Sequence, residues 1–283
     1  VAKKSARFPT PNTYVRLLAE IERHARKWID SPTVRTLGLG LSLPGLIDPT
    51  GDVAAFSPNF HQTDGQRPGR DLAERFRVPT SLIQESDALC LAESRAHGVG
   101  DLCIIDYTGG LGAGGIASGR LLNRHLGLPS ELGHLTAVPG GRECGCGNLG
   151  CLETVATDTA FARLVSEKMG TSLTVDEAFD AVTEARVDAR KELETVLDYL
   201  AVAVAAMGNL YAPPLIVLHG RLLGVDPEMV RTLEAKAKPR LLAPLRDRCK
   251  LARSRSSKAH GALAGILDHL FEELGPLLPT QGL

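Results

Sequence analysis

Apolar residues along the chain follow two different periods, which divide it into helical and strand-like segments. Segments with an apolar residue at every third or fourth position predict amphipathic helices. They cover residues 13–29, 70–78, 88–97, 158–168, 175–184, 187–209, 226–236 and 259–273. Short apolar runs bounded by glycine, proline or polar residues predict strands. They cover residues 36–45, 78–83, 102–106 and 215–219, and residues 116–122 form a hairpin partner for the third strand. This alternation predicts an α/β protein with two lobes.

The first of these strands has an unusual composition. Residues 36–45 alternate glycine with leucine and end in Pro44-Gly45, which predicts a buried strand that its neighbours approach closely. Residues 46–51 then predict a turn.

The length and composition of the chain limit the classes of protein to which it can belong. With 283 residues and 43% hydrophobic content, it is long enough for two lobes with separate cores. No apolar run approaches the roughly 18 residues of a membrane span, and residues 1–7 lack the pattern of a signal peptide, so we expect no membrane partner and a cytoplasmic location. The formal net charge is −1, so the chain as a whole does not have the excess of basic residues that binding to a phosphate backbone requires. The densest basic stretch, residues 250–258, predicts a solvated face.

Three cysteines and one histidine fall within 18 residues. They are His134, Cys144, Cys146 and Cys151, spaced His-x9-Cys-x-Cys-x4-Cys with five glycines between them. Zinc prefers thiolate and imidazole ligands in a tetrahedron, and four protein ligands leave no position for a reactive water. The segment therefore predicts a closed, structural zinc site, with a glycine–cysteine loop or a disulfide as the alternatives. The cysteines at positions 90, 103 and 249 are typical of small buried side chains.

A glycine-rich stretch follows the third strand. It begins Thr108-Gly109-Gly110-Leu111-Gly112 and continues to Gly115. Its backbone N–H groups can hold a phosphate, or it can be a tight turn that uses glycine for positive φ. The stretch has neither a Walker lysine nor a dinucleotide fingerprint. A phosphate site here would depend on Thr108, Gly109, Gly110 and Gly112.

Several polar residues are candidates for binding a ligand. Asp87 follows the second strand and precedes a helix, where α/β sheets place ligands, so its carboxylate can bind a sugar hydroxyl or take its proton as a general base. The alternative for Asp87 is a helix cap. Glu131 and Glu153 flank the metal segment, which would hold them at a fixed separation, unless they are ordinary surface acids. Asn59 is either a turn residue or a hydroxyl ligand. For His219, after the last strand, a structural role is favoured.

Together these residues resemble the ROK family, which joins bacterial repressors, open reading frames and sugar kinases. The similarity runs from about residue 8 to residue 273, and its most specific part is Glu131-x-Gly-His134 with the three cysteines and Glu153. The resemblance implies an actin-like (sugar kinase/ribonuclease H-like) α/β fold of two lobes around a cleft, a structural zinc on the four predicted ligands, and dimers or tetramers. The lobes would be residues 1–100, joined by the C-terminal helix 259–273, and residues 101–258, with the zinc loop 131–153. The first strands of the N-terminal lobe would be missing.

The resemblance also implies a sugar pocket. Its residues would be Gly45, Asn59, Ser86, Asp87, Glu131, His134 and Glu153. Ser86 departs from the asparagine that is usual in the family, which affects hydroxyl selectivity. His134 would serve zinc with one ring nitrogen and the sugar with the other.

The nucleotide side of the family pattern is less complete. A family kinase has an Asp-x-Gly-Gly-Thr phosphate loop, which this sequence lacks, and Gly-Thr-Gly where this chain has Thr108-Gly109-Gly110. The adenosine segment usually ends in Gly-Gly, and here it is His219-Gly220. Phosphoryl transfer needs several such elements at once. The resemblance therefore favours the sugar-sensing domain of a ROK-type transcriptional regulator, which would meet DNA through a domain outside this chain. The alternative is a sugar kinase of the glucokinase or N-acetylhexosamine kinase type, with ATP, Mg and Asp87 as general base.

Overall fold

The computed structural model describes residues 4–33, 35–48, 50–122, 130–225 and 228–274, with side chains described as far as Phe271. The chain divides into a first unit, Val1–Ala88 with Lys258–Leu283, and a second unit, Leu89–Ser257. The units thus separate at Ala88 and Ser257. The lobes expected from the sequence, with boundaries at residues 100 and 258, stay a prediction.

Strands and helices alternate along the chain. The strands are β1 (Leu39–Leu43), β2 (Leu46–Ile47), β3 (Ala54–Phe56), β4 (Thr80–Gln84), β5 (Leu102–Asp106), β6 (Gly112–Ala117), β7 (Arg120–Leu121), β8 (Leu215–His219) and β9 (Lys250–Arg253). The α-helices are α1 (Tyr14–Ile29), α2 (Pro68–Phe76), α3 (Glu85–His97), α4 (Asp158–Met169), α5 (Val175–Thr183), α6 (Arg190–Tyr211), α7 (Met229–Ala237) and α8 (Lys258–Leu274). Each predicted helix is present with slightly different ends, and residues 226–227 of the helix predicted over 226–236 lie outside the described residues. The α/β class is confirmed.

The first unit contains a parallel pair of strands, β1 and β4. The alternating glycines of β1 have the predicted role, because a Cβ on Gly40 would lie 2.1 Å from the carbonyl oxygen of Ala262 in α8. Only glycine allows strand and helix to approach so closely. β1 is half buried rather than buried, which corrects the expectation from its apolar composition. A small core beside it consists of Leu18, Ala25, Leu72 and Phe76.

Residues 46–51, predicted as a turn, belong to a short hairpin. β2 pairs with β3 in antiparallel register. Asp48 closes the loop between them, because its carboxylate accepts the backbone N–H groups of Asp52 and Val53 at 2.9 and 2.8 Å. The strands have only two and three residues, too few to show a period in the sequence.

The second unit is built on a five-stranded sheet of order β7-β6-β5-β8-β9. β5, β8 and β9 run parallel, and β6 and β7 are antiparallel to their neighbours. β5 is buried at all five positions, as its apolar run predicts. Asp106 and His219 are register partners at the carboxyl ends of β5 and β8. This is the edge at which open α/β sheets bind ligands.

β9 is a strand that the sequence analysis did not predict. The basic stretch 250–258 predicts a solvated face, and Lys250 and Arg253 are exposed, but Lys250–Arg253 also pairs with β8 as an edge strand of the sheet. Lysine is common on edge strands, because its charge discourages pairing with another chain. Leu251 and Ala252 are only partly buried, so the strand has little apolar signal.

α6 is long and apolar enough, by length and composition, to cross a membrane. Half of its most apolar 18-residue window is buried inside the protein. Val196, Leu200 and Val204 belong to the core of the second unit. Buried core helices and membrane-spanning helices are both apolar on most sides, so α6 is weak evidence for a membrane.

Candidate functional site

The four predicted zinc ligands converge in the second unit. One ligand atom from each of His134, Cys144, Cys146 and Cys151 lies within 4.8 Å of the others. The Cys144 Sγ is 3.5 Å from the His134 Nδ1, and the Cys146 Sγ is 3.7 Å from the Cys151 Sγ. From usual zinc bond lengths, tetrahedral ligands are separated by about 3.6 Å (N to S) and about 3.8 Å (S to S). These separations fit a zinc ion, whereas the sulfurs of a disulfide would be about 2.05 Å apart.

Glycines shape the loop that carries the cysteines. Gly147 and Gly150 both have positive φ, +89° and +74°. A Cβ on Gly150 would also lie 1.6 Å from the carbonyl oxygen of Val138, whereas one on Gly147 would meet no described atom within 4 Å. The Gly150 carbonyl accepts the backbone N–H groups of Ala137 and Val138 at 2.9 and 3.0 Å. Gly150 therefore fixes the backbone directly before Cys151.

The two ring nitrogens of His134 face different neighbours. Nδ1 faces Cys144, and Nε2 lies 3.6 Å from the Oε2 of Glu131. Histidines that bind a metal through one nitrogen commonly hydrogen-bond an acid through the other. The geometry is compatible with the double role that the sequence suggests for this residue.

Glu153 lies between the cysteine cluster and the glycine-rich stretch. Its Oε1 lies 3.0 Å from the Cys144 Sγ, and its Oε2 accepts the backbone N–H of Leu111 at 3.2 Å. Burial raises the pKa of Glu131; His134 opposes this rise, and the Glu153 carboxylate adds to it. Two carboxyl groups and an imidazole that lie close together can form hydrogen bonds with several hydroxyl groups of one ligand.

The glycine-rich stretch is held by hydrogen bonds within the second unit. The Asp106 carboxylate accepts the hydroxyl of Thr108 at 2.9 Å and its backbone N–H at 3.3 Å. Only 5% of Asp106 is exposed. The Thr159 hydroxyl donates to the carbonyl of Gly109 at 2.9 Å. The buried carboxylate of Asp106 therefore already accepts the hydrogen bonds that Thr108 would have to donate to a phosphate.

The glycines of this stretch do not need an unusual backbone. Gly109, Gly110 and Gly112 are not among the residues with positive φ, so the alternative of a left-handed turn is wrong for them. Close packing is visible instead at a neighbouring segment, where a Cβ on Gly133 would lie 2.2 Å from the carbonyl oxygen of Leu111. The glycine-rich stretch and the metal segment are therefore packed backbone against backbone.

The first unit carries the other predicted sugar residues. Gly45 has φ +86°, and a Cβ there would lie 2.3 Å from the carbonyl oxygen of Phe56. The turn after β1 thus packs against the segment that leads to the exposed Asn59. Ser86 and Asp87 lie in the first turn of α3, directly after β4, and are 4% and 5% exposed. This corrects the predicted helix start at residue 88, because Asp87 lies inside the helix.

The predicted residues are grouped separately in each unit. Glu131, His134 and Glu153 lie together in the second unit. In the first unit, Gly45 packs against the segment before Asn59. The sugar pocket as a whole stays a prediction.

Three residues that shape this region were not predicted to have a role. Asp106 could have been found, because a buried charged residue at the end of an otherwise apolar strand is unusual. Gly133 is visible between Glu131 and His134, but its reason is the contact with Leu111. Leu111 acts through its backbone, which no side-chain pattern reveals.

Comparison with known proteins gives one family. The chain matches the ROK family over residues 2–270. A glucokinase of Halalkalibacterium halodurans is 29% identical over 72% of this chain and 68% of its own length. The DNA-binding transcriptional dual regulator NagC of Escherichia coli is 28% identical over 77% and 56%, and a xylose repressor of Bacillus subtilis is 23% identical over 83% and 62%. The matched region thus spans 56 to 68% of the length of these relatives.

Solved structures with the same fold include both kinases and a regulator. A ROK hexokinase from Thermus thermophilus has a TM-score of 0.72 and 26% identity, covering 93% of this chain and 90% of its own. A ROK family transcriptional regulator, a homologue of the Escherichia coli MLC protein, has a TM-score of 0.77 and 25% identity, covering 93% and 70%. A ROK family glucokinase from Streptomyces griseus, in complex with glucose and AMPPNP, has a TM-score of 0.79 at 19% identity over 91% and 89%, which shows the fold alone. The actin-like part of the predicted fold is confirmed.

Proposed function

Because the chain belongs to the ROK family, we propose that it is the sugar-sensing domain of a ROK-type transcriptional regulator. A sugar or sugar derivative binds between the predicted lobes. The residues that bind it are Gly45, Asn59, Ser86, Asp87, Glu131, His134 and Glu153. The ligand changes the balance between conformations, and a DNA-binding domain outside this chain responds. The proposal includes a cytoplasmic homodimer or homotetramer.

The observation that carries the proposal is the hydrogen bonding of Thr108 to Asp106. A phosphate site needs free N–H and O–H donors, because phosphate oxygens are acceptors. The Asp106 carboxylate accepts both the hydroxyl and the backbone N–H of Thr108. A phosphate would have to displace these bonds and approach a buried negative charge. This supports sensing over phosphoryl transfer.

The ligand is proposed to be a monosaccharide or an N-acetylated one. Two of the relatives are named for sugars, as a glucokinase and a xylose repressor. The acids and imidazole of Glu131, His134 and Glu153 suit a ligand with several hydroxyl groups, since they can accept many hydrogen bonds.

We also propose that His134, Cys144, Cys146 and Cys151 bind a structural zinc. The support is the convergence of one ligand atom from each residue within 4.8 Å. A zinc ion would tie the segment that carries Glu131 to the segment that carries Glu153. In this way the zinc ion would fix the positions of the residues on one side of the sugar site.

The alternative function is an ATP- and Mg-dependent sugar kinase of the glucokinase or N-acetylhexosamine kinase type. Asp87 favours it, because a buried carboxyl group directly after a strand suits a general base. In this function Thr108, Gly109, Gly110 and Gly112 would hold the phosphates.

Calorimetry and thermal shift against a sugar panel test the binding proposal. The panel includes glucose, mannose, xylose and N-acetylglucosamine, and a sugar at about 100 times its Kd should stabilise the protein by about 2.7 kcal/mol. Asp87→Asn should weaken binding roughly tenfold, because a charged acceptor is lost. Asp30→Asn, at the exposed end of α1, is the matched control and should bind as the wild type does. A wild-type protein that responds to no sugar contradicts the proposal.

A coupled assay of ADP formation separates the sensor from the kinase. The sensor binds its sugar without sugar-dependent turnover of ATP. Turnover that Asp87→Asn abolishes would replace the proposal with the kinase.

A further inference from the structure

A buried carboxylate, a serine and a histidine form a hydrogen-bonded chain that the proposed sugar site does not use. It lies wholly in the second unit and joins Glu93 in α3, Ser254 directly after β9, and His219 at the end of β8. The Ser254 Oγ lies 2.6 Å from the Glu93 Oε1 and 2.9 Å from the His219 Nδ1. Which atoms carry the hydrogens decides what His219 can bind.

Glu93 is fully buried and faces several donors. Its Oε1 accepts the backbone N–H groups of Arg255 and Ser256 at 2.9 and 2.7 Å. Its Oε2 also accepts the Arg255 N–H, at 3.1 Å. Buried carboxylates are retained where such donors surround them, so Glu93 acts as an acceptor. Ser254 must then donate its hydroxyl hydrogen to Glu93.

The alternative partner of the Ser254 hydroxyl leads to the same result. The other acceptors that the described residues bring within reach are the carbonyl of Ser256, at 3.2 Å, and the His219 Nδ1, at 2.9 Å. The hydroxyl does not donate to Nδ1, because its contact with the Glu93 carboxylate is shorter, at 2.6 Å, and charge-assisted. In either case the hydroxyl hydrogen points away from His219, and the Ser254 oxygen offers His219 a lone pair. The His219 Nδ1 must therefore carry a hydrogen. In a neutral imidazole the other nitrogen, Nε2, is then an acceptor.

His219 stands where such an acceptor can meet a ligand. It is the last residue of β8 and the register partner of Asp106 at the end of β5. Its backbone is fixed, since its carbonyl accepts the Tyr107 N–H at 2.9 Å. The residue is partly exposed, at the sheet edge where α/β proteins bind ligands.

We propose that His219 is a binding residue whose Nε2 accepts a hydrogen bond from an O–H or N–H group of a small molecule. Ser254 and Glu93 are positioning residues that fix its tautomer. The ligand is a neutral hydrogen-bond donor, supplied either by a sugar hydroxyl or by the amino group of an adenine. The inference does not depend on the proposed function.

NMR of protein labelled with ¹⁵N-histidine tests the tautomer directly, because protonated and unprotonated ring nitrogens differ in ¹⁵N chemical shift. His219→Gln assigns the signal. Under conditions in which the ring is neutral, the expected spectrum has the hydrogen on Nδ1 and none on Nε2. A wild-type spectrum with the hydrogen on Nε2 overturns the proposal, whether or not the variants fold.

Variants of Ser254 test its positioning role. Ser254→Ala removes the acceptor, and the preference for the Nδ1 hydrogen should be lost. Ser254→Thr keeps a hydroxyl and should retain it. Ser256→Ala is the matched control, because the bonds of Ser256 in this network come from its backbone. A folded Ser254→Ala protein with an unchanged tautomer contradicts the role.

Titration with glucose and N-acetylglucosamine, and separately with adenosine and AMP, tests the ligand. One class should move the His219 Nε2 resonance, and His219→Phe should bind that ligand roughly tenfold more weakly, as for the loss of one hydrogen bond. Movement with sugars alone assigns the sugar hydroxyl, and movement with adenosine and AMP alone assigns the amino group. No movement with any of the four overturns the binding role, and calorimetry on the same samples shows independently whether a sugar binds elsewhere.

Discussion

Replacing Gly150 with alanine tests how the cysteine loop is built. The new methyl group would stand 1.6 Å from the carbonyl oxygen of Val138 and 2.6 Å from its carbonyl carbon. A Cβ atom essentially never comes closer than 3.0 Å to such atoms. One backbone segment must therefore move by more than 1 Å.

Two costs add in this variant. A left-handed backbone costs a residue with a side chain about 1–2 kcal/mol. Moving Val138 also weakens two hydrogen bonds, from the Gly141 N–H to its carbonyl at 2.8 Å and from its own N–H to the Gly150 carbonyl at 3.0 Å. Each such bond contributes about 1 kcal/mol. We expect Gly150→Ala to lower the free energy of unfolding by about 3–4 kcal/mol, a large part of the roughly 5–15 kcal/mol of a typical protein.

Gly147 provides the matched control in the same loop. It also has positive φ, but a Cβ there would meet no atom of the described chain within 4 Å. Gly147→Ala should therefore incur only the first cost, about 1–2 kcal/mol. The difference between the two variants measures the contact with Val138.

Urea unfolding followed by far-UV circular dichroism measures the stability of both variants, and release to a chelator of the zinc that we propose for this loop would report the state of the loop. The single tryptophan, Trp28, lies in the first unit, so its fluorescence gives an internal control. Equal destabilisation by Gly150→Ala and Gly147→Ala would refute the steric argument.

Three further changes act through single groups. Burial raises the pKa of Asp158 from 3.8 to about 7, so the stability that its bound proton contributes is complete below about pH 4 and is lost as the pH rises to about 7. In Asp158→Asn, the urea midpoint should therefore depend less on pH between these values. Parallel curves of midpoint against pH for variant and wild type would contradict this prediction. Cys144→Ser should lower both the zinc content and the Tm, and zinc-free protein from a chelator-free purification would exclude the metal site. Gly220→Ala places a methyl group 2.0 Å from the ring of Tyr107 and should cost about 1–3 kcal/mol in urea unfolding; an unchanged midpoint would show that the ring has room to turn.

The sequence predicts well those features that depend on the type and spacing of side chains. The candidate metal cluster was predictable because few other residue types bind zinc, and one ligand atom from each of His134 and the three cysteines does converge. β5 was identifiable because all five of its residues are buried and four are apolar. In both cases the side chain itself carries the information.

Features that depend on the backbone or on short elements were not predictable. β2 has two residues and β9 has charged residues at both ends, so neither shows a period. α3 begins at Glu85, directly after the last residue of β4, and no loop residues separate the two elements to mark its start. The contact of Gly133 with the Leu111 carbonyl joins two segments through main-chain atoms, which the sequence does not encode locally.

His134 and His219, both in the second unit, illustrate how the proposals are related. The Nδ1 of His134 faces the cysteine cluster, and a neutral histidine that binds metal through Nδ1 carries its hydrogen on Nε2. The arrangement that we propose for His219 is the opposite, with the Nδ1 hydrogen donated to the Ser254 Oγ at 2.9 Å and Nε2 as an acceptor. A sugar hydroxyl can satisfy either nitrogen, since it both donates and accepts, but the carbonyl of an N-acetyl group can satisfy only the Nε2–H of His134. The two histidines would therefore select different groups of a ligand, although their side chains are chemically identical.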